Sequence, residues 1–128
     1  MLRRSRTSSV SIRRSPEDVL SFLAEVESWP RWAVLTVRRV RRQGEVWVVE
    51  GVEGELTLAV VSRPEVGLFD YKLGGWSVAM RVLPNGDGSE VVATFLQPEG
   101  LEEREFEQAV NVRERELRAL KVVLSRAG

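Results

Sequence analysis

The chain has no histidine and no cysteine among its 128 residues. Without histidine it lacks the side chain most often used as a general base or metal ligand. It also forms no Ser-His or Cys-His nucleophile pair. Without cysteine it forms no disulfide, and nothing points to an oxidising compartment. Lysine is almost missing: only Lys72 and Lys121 occur, so the cations are nearly all arginine. Charge of one sign is not in excess, since 19 basic residues balance 19 acidic ones. That removes any global attraction to nucleic acid or to an anionic membrane. No apolar run is long enough to span a bilayer, so stable membrane insertion is not expected. The start, Met1-Leu2-Arg3-Arg4-Ser5-Arg6, is basic, but no apolar segment follows it. It does not read as a secretory signal; residues 1–6 are expected to form a flexible basic tail, and the cytoplasm is the expected setting. No cofactor or metal motif is present, so neither group is expected.

What is there suffices for one domain over residues 1–128. Charged residues are 30% and hydrophobic residues 43% of the chain, the composition of a folded globular protein. Thr7 to Arg14 alternates, with Val10 and Ile12 on one face, and predicts a strand. Ser15 suits the cap of a following helix, Pro16 its first position, and Glu17 and Asp18 its positive end. Val19, Phe22, Leu23 and Val26 recur at helical spacing, and Pro30 breaks or restarts that helix. Short β-rich runs follow: Val34 to Arg42, Val46 to Val49, Leu56 to Val61 and Val66 to Leu73. Trp76 to Leu83 and Glu90 to Leu96 flank Pro84-Asn85-Gly86-Asp87-Gly88-Ser89, the strongest hairpin signal in the chain. Consecutive strands with short turns predict an antiparallel meander. Beyond Pro98-Glu99-Gly100, residues Leu101 to Arg126 read as one long helix. Phe106, Val110, Leu117, Leu120 and Leu124 lie along one of its faces.

Three parts of the chain carry a resemblance to a known group. They are Ser15-Pro16-Glu17-Asp18 with Trp29-Pro30-Arg31-Trp32, the hairpin from Met80 to Val92, and the terminal helix with Phe106 early and Glu116 to Lys121 late. In this order they resemble the START-related helix-grip superfamily, the SRPBCC or polyketide-cyclase/dehydrase-like group. The resemblance implies an α+β helix-grip fold. A curved antiparallel sheet would wrap around the long C-terminal helix, with a broken helix after the first strand and a cavity between sheet and helix. It also implies binding or transport of a small hydrophobic or amphipathic ligand, such as a lipid, isoprenoid or polyketide-like metabolite. A cyclase/dehydratase-type enzyme and a protein-interaction module with a filled core are the alternatives. A homodimer stays open. Within such a fold, activity does not follow from architecture.

Ligand pockets are mostly aromatic and aliphatic with a few polar anchors. Trp32 and Trp76 sit at element ends beside Pro or Gly and are candidates for the cavity mouth. Leu58, Phe69, Tyr71, Met80 and Phe95 are strand candidates for the lining; Phe106 and Val110 are candidates from the helix. For any one of them, plain core packing is the competing reading. Helical steps from Phe106 and Val110 land on Arg113. There it either faces the cavity, where it would hold a carboxylate or phosphate, or snorkels while Val112 takes its place in the stripe. Asp70 and Arg81 either form a polar anchor in the pocket or pair across strands on the wet face. An enzyme built on this chain would have to use Asp70, Tyr71 and Arg81 for proton transfer and charge stabilisation. Glu50, Glu53 and Glu55 flank a turn, where solvated charge is ordinary, and suggest no metal site. Arg38-Arg39-Val40-Arg41-Arg42 has no stacking-aromatic motif beside it, and no nucleic-acid binding is expected.

Overall fold

The Ser15 hydroxyl accepts the Asp18 backbone N–H at 3.1 Å and starts the first helix where its sequence predicts. The protein is described by a computed structural model over residues 2–52 and 54–126. Glu53 lies outside the described residues. Strand β1 (Ser5–Ile12) leads into α1 (Pro16–Ala24) and a 3-10 helix at Val26–Arg31 that contains Pro30. Strands β2 (Arg39–Gln43), β3 (Val46–Gly51), β4 (Gly54–Arg63), β5 (Leu68–Leu73), β6 (Trp76–Asn85) and β7 (Gly88–Leu96) follow, then α2 (Glu103–Arg126). The seven strands form one sheet in the order β1-β7-β6-β5-β4-β3-β2, every neighbouring pair antiparallel. Among the described residues only the β1–β7 pairing joins strands distant in sequence. The β6–β7 hairpin closes through Gly86 at φ 57°, a left-handed conformation natural to glycine.

Alternation sorts the strands cleanly. Phe69, Tyr71 and Leu73 of β5 face inward, as do Val78, Met80 and Val82 of β6 and Val91, Ala93 and Phe95 of β7. Across them α2 lays Phe106, Val110, Leu117, Leu120 and Leu124, all buried. Burial of side chains of this size stabilises by about 1.5–3 kcal/mol each before entropy is counted. The fold is the helix-grip fold: a sheet holding a long C-terminal helix, with the interrupted first helix packed beside them.

One flank of α2 is tied to β1. Arg4 pairs with Glu103 at 2.9 Å, Arg6 with Glu107 at 2.5 Å and with Glu114 at 3.6 Å, and the Ser8 hydroxyl donates to Glu114. The expected flexible tail therefore does not extend over Arg4 to Arg6: β1 begins at Ser5, and Arg4 already reaches the helix. At the far end, Arg14 donates to the Leu124 carbonyl at 3.2 Å, where a helix leaves its acceptors unpaired.

The run from Val34 to Arg42 departs from the strand its β-branched residues predict. Residues 34–36 form a turn, and β2 spans only Arg39–Gln43. The Thr36 and Val37 N–H groups turn back onto the Ala33 carbonyl, at 3.1 and 2.8 Å. The α2 carboxylate of Glu116 takes the Leu35 and Thr36 N–H groups. A contact from the far end of the chain thus overrides local β propensity. The last helix also begins two residues later than its pattern suggests, at Glu103.

If the sheet grips α2 through its apolar face, Leu117→Ala will destabilise the protein by about 2–5 kcal/mol in urea unfolding. Arg118→Ala, on the exposed face of the same turn, will change stability by no more than about 0.5 kcal/mol. Similar small effects at both positions would contradict the grip.

Candidate functional site

The flank of α2 opposite β1 borders an open groove. Ala109, Val112 and Arg113 form one wall; Leu35 and Thr36 from the 34–36 turn, Gly51, Val52, Gly54 and Leu56 from the β3–β4 hairpin, and Trp76 at the start of β6 form the rest. Its volume is about 490 Å³. On a helix of 3.6 residues per turn, positions 109, 112, 113 and 116 fall together, so a single flank supplies the helical contribution. Leu35, Val52 and Leu56 are 45%, 64% and 41% exposed, a cluster of large apolar side chains left uncovered at one place. Gly51 lets the strand approach the turn, because a Cβ there would lie 2.7 Å from the Thr36 carbonyl oxygen.

Arg113 lies at the inner end of this groove. Its side chain is only 10% exposed, and its guanidinium stands over the Trp76 ring, 4.8 Å from the centroid. Trp76 is stacked in turn on Phe106 at 5.9 Å. The Arg113 NH1 donates to Thr36 Oγ1 at 3.4 Å, while Nε is buried without a partner. Trp32 Nε1 is also buried without a partner.

Glu116, one turn along, is buried and holds the turn beside the groove. Its Oε2 accepts the Leu35 and Thr36 N–H groups at 3.1 and 2.9 Å, and Oε1 accepts the Thr36 hydroxyl at 2.9 Å. Burial pushes its pKa above the ordinary value, against the pull of the Thr36 hydroxyl, Arg113 and the two backbone donors. Tyr71 sits deeper, edge-on to Trp29 at 5.0 Å; burial raises its pKa to about 12, with Arg113 opposing and Glu116 reinforcing the shift.

The expected lining residues separate into three groups. Trp76 and Arg113 border the groove. Trp32, Leu58, Phe69, Met80, Phe95, Phe106 and Val110 are packed in the core, and Tyr71 with them, beside the Trp29–Trp32–Phe69 aromatic cluster. Arg81 belongs to neither group. It pairs with Asp70 at 2.8 Å on the outer face of the sheet, and Asp70 also accepts the Met80 N–H at 3.1 Å, where the β5–β6 ladder is interrupted. Asp70 and Arg81 therefore stand on the side of the sheet opposite the Tyr71 ring, and the three do not converge. Glu55 pairs with Arg41 at 2.7 Å across the sheet edge. Among the described residues no cluster of acidic side chains suits a metal ion, and no helix is long and apolar enough to cross a membrane. Sequence reasoning missed Glu116, Thr36 and the uncovered Leu35, Val52 and Leu56. Glu116 was legible in part, three residues after Arg113 on the same flank; the turn residues carried no signal.

The raised pKa of Glu116 fixes the sign of a pH effect. Its protonated form is favoured by folding, so its contribution is full below the ordinary value of 4.5 and is lost as pH rises through the raised folded value. The stability of the wild type relative to Glu116→Gln will therefore fall as pH rises above the ordinary value of 4.5, read from urea unfolding of both proteins. Glu116→Ala, which strands three donors, will cost about 1–3 kcal/mol. A difference that rises with pH would contradict this account.

No curated protein matches the chain in sequence. Solved structures match it in fold. A protein of Bacillus thuringiensis superposes with TM-score 0.78 at 15% identity, covering 94% of this chain and 98% of its own. A START superfamily protein of Mycobacterium smegmatis gives TM-score 0.77 at 13% identity, over 97% and 99%. The protein XoxI of Bacillus cereus gives 0.75 at 16% identity, over 97% and 96%. At these identities the likeness establishes the helix-grip fold alone. The family model described as polyketide cyclase / dehydrase and lipid transport matches residues 3–124, from the strand that clasps α2 to the last buried leucine of α2, and the chain belongs to that family.

Proposed function

We propose that this protein binds a small hydrophobic or amphipathic molecule, of lipid, isoprenoid or polyketide-like class, in the groove between α2 and the sheet. One observation carries the reading. Leu35, Val52 and Leu56 stand uncovered around a concavity of about 490 Å³ whose inner end is the half-buried Trp76. A concave site of a few hundred Å³ with apolar walls and few polar groups has the character of a small-molecule pocket. A family description that names lipid transport, and a START-superfamily structural neighbour, are consistent with such a ligand. Phe106, buried in the core and stacked on Trp76, ties the groove to the core below it. The ligand would lie against the helix flank instead of deep within the sheet.

Titration with a neutral hydrophobic dye such as Nile red, competed by a fatty alcohol, tests this. One saturable site is expected. Ala109→Trp, which fills the groove from a half-buried position on α2, will weaken binding by about tenfold or more while the protein stays folded. Absence of saturable binding, or binding that Ala109→Trp leaves unchanged, would overturn the assignment.

A further inference from the structure

We infer that the molecule held in this groove is an amphipathic carboxylate, with its head on the in-plane edge of the Arg113 guanidinium and its tail along Leu35, Val52, Leu56 and Val112. This rests on the groove being the binding site. The argument starts from what Arg113 has and lacks. Its side chain is nine-tenths withdrawn from water. A buried cationic donor without a partner is costly. The Trp76 ring meets the face of the guanidinium at 4.8 Å. A ring beneath that face supplies nothing to the N–H groups, which lie in the guanidinium plane. In that plane NH1 reaches Thr36 Oγ1 at 3.4 Å, and Nε reaches nothing.

Glu116 does not fill this gap. Its Oε1 stands 3.9 Å from Arg113 NH1, beyond hydrogen-bond distance. Both of its oxygens are engaged by the turn: Oε2 with the Leu35 and Thr36 N–H groups, Oε1 with the Thr36 hydroxyl. Those donors occupy the Glu116 oxygens, so Glu116 stays an ion-pair neighbour of Arg113 at 3.9 Å without a hydrogen bond to it. A planar carboxylate matches the side-on edge of a guanidinium with two parallel hydrogen bonds. An alcohol or ester head offers no such pair of charged acceptors. The apolar wall beyond Arg113 then selects for a ligand with a hydrocarbon tail attached to that head.

Matched ligands test the head group. Dodecanoate and dodecanol, at pH 8 and below the micelle concentration, compete for Nile red bound to wild type, Arg113→Gln and Arg118→Gln. Wild type is expected to prefer dodecanoate by about tenfold or more. In Arg113→Gln the ratio of the two affinities falls to about one, and in Arg118→Gln, altered on the exposed face of α2, it stays at the wild-type value. Equal affinities in the wild type would overturn the carboxylate and leave the groove standing as a neutral-ligand site. No competition by either ligand would overturn both. Should Arg113→Gln fail to fold, the wild type still decides. Its Arg113 Nε–H NMR resonance will move on addition of dodecanoate and not of dodecanol, and a resonance that ignores dodecanoate would refute the contact.

Discussion

The grip of the sheet on α2 is the constraint from which the rest follows. Phe106, Val110, Leu117, Leu120 and Leu124 find their apolar partners on the inner faces of β5, β6 and β7. That burial sets the rotation of the helix about its own axis. Once it is set, the two flanks have no freedom. Glu103, Glu107 and Glu114 come to β1, where Arg4, Arg6 and Ser8 meet them. Ala109, Val112, Arg113 and Glu116 come to the other side, where β1 is absent and the 34–36 turn and β3–β4 hairpin stand off. The exposed ion pairs add little energy singly; they follow from the rotation that burial has set.

The groove exists because the two sides are covered differently. Towards β1 the helix is closed by charge pairs. Towards β3 and β4 the inward face of the sheet continues past the helix, so Leu56 points inward yet remains 41% exposed. Glu116 then sets the groove's outer edge. A carboxylate in the interior is destabilised by its desolvation, as its raised pKa records. Yet it supplies the turn at residues 34–36 with acceptors that a strand would otherwise have provided. The cost of one buried charge is offset by hydrogen bonds that keep the turn from joining β2. Arg113, between this carboxylate and the Trp76 ring, is left with its Nε buried and without a partner.

The outer face of the sheet follows simpler rules. Asp70 and Arg81 are cross-strand partners in water, and Arg41 pairs with Glu55 near the edge formed by β2. The arginine-rich β2 presents Arg39, Arg41 and Arg42 along an unpaired edge, charge that discourages another strand from adding there.

By itself the sequence determined the elements and their order. Local chemistry is enough for that: the Ser15-Pro16 helix start, the Asn85-Gly86 turn, the alternation that puts Phe69, Val78 and Phe95 inside, and the period that lines Phe106 up with Leu124. The three motif regions also pointed to the family. Only the tertiary structure decided which of these residues surround a space and which fill one. Leu58, Phe69, Met80 and Phe95 have the same alternation signature whether a cavity or a packed core lies beyond them, because burial pattern reports the face and not what it faces. Arg113 was ambiguous for a related reason: helical period places it inward, but whether inward means a snorkelling rim or a groove depends on how far β3 and β4 stand from α2. The turn at 34–36 was illegible locally, since its Val-Leu-Thr-Val sequence favours a strand and the carboxylate that bends it lies 80 residues away.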